Sequence, residues 1–320
     1  WEALKKYGFW CFDAKDGRLL WHTDVPAREG NGWFTSSTPS VANGRLYFFT
    51  RSAILLCLDA ATGDELWRKQ ITASPGLGLH GDHGSPTVVA GTVVVSHWTK
   101  AGTVALDAAT GEQRWQRTDV HGRHSTPLPW AVEGKPVVLC AGHCLSVDRG
   151  ETLWKVPAWN DECQAALADN RLAVVEVAGK EWRTVVYELG AKEARVLFRL
   201  PAPNKLGGAA LLSGDRVHFA SFNLHCLDAA TGEVRWKSEV GTRNAYSAPV
   251  LADGKIIGLR EGALWMADAA TGKVLAELKA PERFHTRGSV CRSPAICGGR
   301  LYVHEDDAMV CYELAAGAAP

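Results

Sequence analysis

Residues 58–63 read LDAATG, and the same six letters return unchanged at 106–111 and 227–232. Residues 267–272 read ADAATG and residues 12–17 read FDAKDG. Shorter copies stand at 147–150 (VDRG) and 187–190 (YELG), and a degraded one at 312–317 (YELAAG). Measured on the acidic residue, the copies fall at Asp13, Asp59, Asp107, Asp148, Glu188, Asp228, Asp268 and Glu313, with intervals of 46, 48, 41, 40, 40, 40 and 45. A period of about 40–50 residues is the length of one four-stranded propeller blade.

The motif reads as turn chemistry. An Asp side chain accepts hydrogen bonds from turn backbone N–H groups, and Thr does so more weakly. Gly supplies the positive φ that a bulged hairpin turn requires. Before each motif comes an apolar hairpin, as in TPSVANGRLYFF at 38–49, where Asn43-Gly44 marks a type I′ turn. One strand then runs into the motif and another leaves it. The unit is four strands, A to D, with the motif between C and D. Asp59, Asp107, Asp228 and Asp268 are thus expected to be structural, since one active site has no use for eight copies.

Strand D carries a large ring at one repeated place: Trp21, Trp67, Trp115, Trp154 and Trp236, with Phe198 and Ala276 in two units. Such a ring is expected to wedge between neighbouring blades. Acid turn and ring together resemble the pyrroloquinoline-quinone-type propeller repeat, over about residues 8–317. In that family a tryptophan docking motif joins blade to blade. The repeat is shared by quinoprotein alcohol dehydrogenases, by the non-enzymatic lipoprotein propeller of the outer-membrane β-barrel assembly machine, and by many uncharacterised bacterial propellers. The resemblance implies an all-β propeller, one domain over 1–320, of bacterial and extracytoplasmic location, periplasmic or secreted.

Strand D and the A–B hairpin each occur seven times, and strand C eight times. Eight blades with incomplete terminal ones are expected, lacking roughly 35–45 residues before residue 8, a blade at the repeat size. The alternative is seven blades, with 18–25 closing the sheet of 293–313. The chain begins at Trp1, so a leader or upstream segment is expected to have preceded it.

Composition narrows the function. Lys plus Arg and Asp plus Glu are 35 each, so nothing draws the chain to nucleic acid or anionic lipid. No apolar run reaches the ~20 residues of a membrane-spanning helix. The glycines Gly76, Gly78 and Gly81 have dinucleotide spacing, but in a loop of a β repeat rather than a βαβ unit.

Nine cysteines form no disulfide scaffold. Cys11, Cys57, Cys226 and Cys311 each lie two residues before the motif acid, where other units hold Ala105, Ser146, Val186 and Met266. A place that accepts these residues is a small packing slot, so four buried free thiols are expected. Cys140 and Cys144 leave a cross-hairpin disulfide open, as well as a zinc site with His143.

The irregular loops are where function is expected. The D-to-A and B-to-C connections of a propeller emerge on one face. They hold His80, His83, His97, His121, His124, Arg243, Asn244, His285, Arg292 and His304. Where other units place Ser37, Gly208 or Ser247 before strand A, three place His83, His124 and Arg292. These three are expected to line the inner mouth of a funnel, with His80, Arg243 and Asn244 around them. The quinoprotein enzymes implied by the resemblance use calcium ligands and a catalytic Asp that map onto no residue here, so neither that quinone nor calcium is expected. The reading is a non-enzymatic scaffold holding a protein, peptide or glycan, as a monomer or part of a larger polypeptide. The alternative is a small quinoprotein-like or metal-dependent enzyme using the funnel.

Overall fold

The computed structural model describes residues 6–26, 37–73, 84–124, 126–156, 159, 165–201, 209–220, 222–242, 248–260, 262–279, 293–305 and 308–314. Every regular element among them is a β-strand. The chain divides into two compact units, 1–164 with 190–194 and 165–189 with 195–320. The fold is an all-β propeller of antiparallel meander blades.

Six sheets have four strands in sequence order: 40–70, 87–117, 128–155, 166–201, 209–238 and 250–279. The sheet of 295–313 has three strands, A to C. Counted by A–B hairpins, these are seven blades, the alternative of the sequence reading and not the eight-bladed type it puts first. The eighth C strand, Lys6–Phe12, pairs with the D strand Leu19–Pro26 from Lys6↔Pro26 to Phe12↔Leu19. That two-stranded sheet has no A–B hairpin of its own among the described residues.

The repeated turn forms for the reasons its residues dictate. Asp59 Oδ1 accepts from the N–H groups of Ala61 at 2.8 Å and Thr62 at 3.0 Å. Gly63, at φ +79°, then donates to the Asp59 carbonyl at 2.9 Å. Asp107, Asp228 and Asp268 repeat the arrangement. The fourth unit corrects the sequence ruler. There Gly150 donates to the Ser146 carbonyl and Ser146 to that of Glu151, so Ser146, not Asp148, fills the acid's place. The residue two before it is Cys144, a further member of the cysteine slot.

Six D strands bulge beside the turn. The ladder runs from Gln113↔Leu106 to Trp115↔Ala105 and skips Arg114. The bulge aims Arg114 at Asp107, 2.7 Å away, and Arg235 at Asp228, 2.6 Å away. The following residue is the repeated ring, which lies over the turn glycine of the next blade. A Cβ on Gly111 would stand 2.7 Å from the Trp67 ring, and one on Gly150 the same distance from Trp115. Trp21 over Gly63, Phe198 over Gly232 and Trp236 over Gly272 repeat the contact. The indole N–H of Trp115 donates to the Val147 carbonyl at 2.7 Å, and that of Trp21 to Ala60 at 3.1 Å. Trp154 departs from the pattern: its ring meets Trp130 edge-on at 6.1 Å.

The Ser-Pro and Thr-Pro pairs also join blades. Thr38 N–H donates to Ser85 Oγ at 2.8 Å, Ser85 N–H to Thr126 Oγ1 at 3.2 Å, and Ala248 N–H to Ser293 Oγ at 3.0 Å. Between these inner bonds and the outer rings lie the apolar cores, such as Tyr47, Phe49, Leu55 and Cys57 against Val93, Val95, Val104 and Leu106.

All seven described cysteines are free, Cys140 and Cys144 among them. Cys57 and Cys226 are buried as expected, but Cys11 is half-buried and Cys311 exposed. Their C strands belong to the two sheets that, among the described residues, have fewer than the four strands that enclose Cys57 and Cys226.

Candidate functional site

Of the residues expected at the funnel, His80, His83, Arg243, Asn244 and Arg292 lie outside the described residues, as do Gly76, Gly78, Gly81 and His285. His124 is described, half-buried at the end of the 118–124 connection. That connection meets the B–C turn at 97–102, and the two loops build a corner that can be followed bond by bond.

The turn is held by its own side chains. His97 N–H donates to the Gly102 carbonyl and Gly102 N–H to the Thr99 carbonyl, both at 2.9 Å. Gly102 sits at φ +61°, where a Cβ would strike the Arg117 carbonyl, so only glycine fits. The Thr99 N–H approaches His97 Nδ1 at 3.2 Å, and the Thr99 hydroxyl lies 2.8 Å from the same nitrogen. His97 Nδ1 is therefore an acceptor, and the Nε2–H tautomer follows. The His97 ring is buried and stands edge-on to Phe49 at 6.0 Å, which locks the turn onto the preceding blade.

The second loop docks on this turn. The Thr103 hydroxyl donates to the Val120 carbonyl at 2.9 Å. His121 Nδ1 lies 3.0 Å from the Thr99 carbonyl and donates to it. The Arg123 guanidinium is then placed over the Trp98 ring, 5.5 Å from its centroid. Trp98 remains 50% exposed. The corner offers water an indole plate edged by a cation, with His121 bonded to the turn beneath it. Trp and Arg on a preorganised surface are the residue types that dominate protein-binding hot spots.

The sequence reading named His97, His121 and His124 but missed Trp98 and Arg123. The signal was present: Trp98 stands on a B–C turn, away from the repeated ring position, and Arg123 lies on the loop expected at the same face.

Several charged groups elsewhere among the described residues are engaged. Arg114 first, then the Thr110 and Ala109 N–H groups, hold the Asp107 carboxyl down at about 2. The buried carboxylates Glu176 and Glu305 accept from the hydroxyls of Tyr187 and Tyr312. Among the described residues no three His, Cys, Asp or Glu side chains gather to hold a metal ion, the Cys140, His143 and Cys144 set included.

Three likenesses frame the chain. A polyvinylalcohol dehydrogenase of Pseudomonas sp is 26% identical over 272 residues, 75% of this chain and 38% of that protein. An outer membrane protein assembly factor BamB of Burkholderia pseudomallei is 27% identical over 268 residues, 77% of this chain and 65% of that protein. The chain thus spans less than two thirds of the length of either curated relative. The crystal structure of BamB from Moraxella catarrhalis matches with a TM-score of 0.64 at 18% identity, over 92% of this chain and 85% of that one, a likeness of fold. The chain belongs to the family described as outer membrane protein assembly factor BamB, PQQ_2, whose profile matches residues 8–142 and 141–319.

Proposed function

We propose that this protein is a non-enzymatic scaffold that holds a protein partner on the face carrying the B–C and D–A loops. The observation that carries the reading is the Trp98–Arg123 corner, a half-exposed aromatic plate on a hydrogen-bonded base. Its bonds, the Thr99 hydroxyl to the buried His97 ring among them, fix the turn that carries Trp98. Membership of the outer-membrane assembly-factor family supports a protein partner over a glycan. It also supports a bacterial, periplasmic location and a single propeller domain over 1–320, with the repeated rings docking blade on blade. His83, Arg292, His80, Arg243 and Asn244, which lie outside the described residues, are included in this proposal as further partner contacts, as is His124. The proposal includes no cofactor, because the repeated carboxylates close turns and the buried ones accept from tyrosines.

The likeness to a polyvinylalcohol dehydrogenase favours a second reading, a quinone-dependent alcohol oxidation. One assay separates the two. The purified protein is incubated with pyrroloquinoline quinone and calcium, and alcohol-dependent reduction of an artificial electron-acceptor dye is followed. The scaffold reading expects no rate above the quinone alone. An alcohol-dependent rate that saturates with the quinone would select the second reading.

A further inference from the structure

The two loops of the Trp98 corner carry an excess of positive charge. Residues 97–102 read HWTKAG and residues 117–124 read RTDVHGRH. Together they hold three permanent cations, Lys100, Arg117 and Arg123, against one carboxylate, Asp119. The chain as a whole is neutral, with 35 charges of each sign, so the excess is local. The one carboxylate is already taken. Arg117 Nε and Nη2 each donate to an Asp119 oxygen at 2.8 Å, a bidentate pair. Arg117 Nη1 also donates to the Gly150 carbonyl at 2.6 Å and to Thr152 Oγ1 at 3.0 Å, which ties this pair to the next blade.

The cations left are the two that accompany the indole. Arg123 lies over the Trp98 ring. Lys100 is exposed on the same turn, two residues after Trp98, and has no ion pair among the described residues. Both are carried by backbone that is already fixed: Gly102 N–H donates to the Thr99 carbonyl, and His121 Nδ1 donates to the same oxygen. Little order is then lost when a partner binds. The ring face accepts an apolar or aromatic side chain, whose burial supplies affinity. The cations decide which sequences can bring one there, because acidic flanks are attracted and basic flanks repelled.

We propose that the partner segment held at this corner is acidic, with an apolar or aromatic residue on Trp98 and carboxylates beside Lys100 and Arg123. The inference rests on the reading of the corner as a protein-binding surface and adds the chemistry of the partner. It makes Lys100 a specificity contact, since that side chain is on the turn and does nothing for its closure.

The test follows the fluorescence anisotropy of two dye-labelled peptides titrated with the purified protein. Both carry one central phenylalanine; one is flanked by glutamates and the other by glutamines in the same places. The acidic peptide is expected to bind roughly tenfold more tightly at low salt, as two exposed charge pairs allow. Most of that advantage should disappear at about 0.5 M salt. Lys100→Glu should weaken the acidic peptide about fivefold and leave the glutamine peptide unchanged. Lys192→Glu, the same charge change at an exposed C–D turn of another blade, should affect neither. Trp98→Ala should weaken both. Absence of binding by the acidic peptide at millimolar concentration, equal affinity for the two peptides, or equal effects of Lys100→Glu and Lys192→Glu would overturn the proposal. So would equal binding of a glutamate peptide that lacks the phenylalanine, which would mark a site for any polyanion. A protein captured in the cell by crosslinking through position 98, together with equal affinity for the two peptides, would leave the scaffold reading in place and overturn this one.

Discussion

Gly111→Ala probes the joint between two blades with one methyl group. Gly111 sits at φ +73°, and its added Cβ would stand 2.7 and 2.8 Å from Cε3 and Cδ2 of Trp67. Two costs follow. Holding alanine in the left-handed region costs about 1 kcal/mol. Forcing a carbon into a packed ring costs about 2 kcal/mol more, since neither the indole nor the turn backbone can move freely. Gly44→Ala separates the two: Gly44 has φ +71°, and nothing lies within 4 Å of its added Cβ. The expected losses are about 3 kcal/mol for Gly111→Ala and about 1 kcal/mol for Gly44→Ala, read from urea unfolding followed by far-ultraviolet circular dichroism. In a Trp67→Ala background the excess at Gly111 should vanish, because the ring it strikes is gone. Equal costs at the two glycines, or an excess that survives removal of Trp67, would refute the ring-on-glycine joint.

Three further outcomes follow from the same chemistry. Asp107 is held at about 2 against an ordinary 3.8, so its contribution is complete above 3.8 and is lost as pH falls toward 2. Asp107→Asn should narrow the difference in urea midpoint between pH 5 and pH 2.5, by under about 1 kcal/mol for a partly exposed pair. Burial pushes His218 below its ordinary 6.5, against the pull of the Ala269 carbonyl 2.9 Å from Nε2. Its neutral form is stabilising above 6.5 and that stability is lost as pH falls below it. His218→Gln should therefore flatten the thermal midpoint between pH 7.5 and pH 5; an unchanged slope would contradict this. Burial also pushes Cys57 up to about 11 and Cys144 up to about 12. Both should react with a thiol reagent only on unfolding, while Cys297 reacts at once; fast native labelling of Cys144 would show that its slot is not packed.

What was legible in the sequence was whatever a short segment decides by itself. The LDAATG turn closes through the side chain of its own Asp and the φ of its own Gly, so Asp59, Asp107, Asp228 and Asp268 could be placed without any neighbour. The fourth turn carries an acid, Asp148, that is not the turn's anchor: the backbone counts from Gly150 and puts Ser146 in the acid's place. Cys11 and Cys311 share a slot with Cys57, but burial depends on which strands flank the slot, and that is a property of the whole sheet. The bulge that turns Arg114 and Arg235 toward their carboxylates is set by strand pairing and leaves no mark in composition. At the candidate site the histidines stood out as exceptions to the repeat. The contact of Arg123 with Trp98 did not, because it joins loops that only the folded blade brings together.

The central claim, a scaffold that grips a protein through its loop face, is tested most directly by photo-crosslinking in the cell envelope of the host. The photoreactive amino acid p-benzoylphenylalanine replaces Trp98 in one variant and Thr62, on the C–D turn of a neighbouring blade, in another. The account predicts a discrete protein adduct from position 98 and none from position 62. An adduct of equal yield from position 62, or none from position 98, would contradict it.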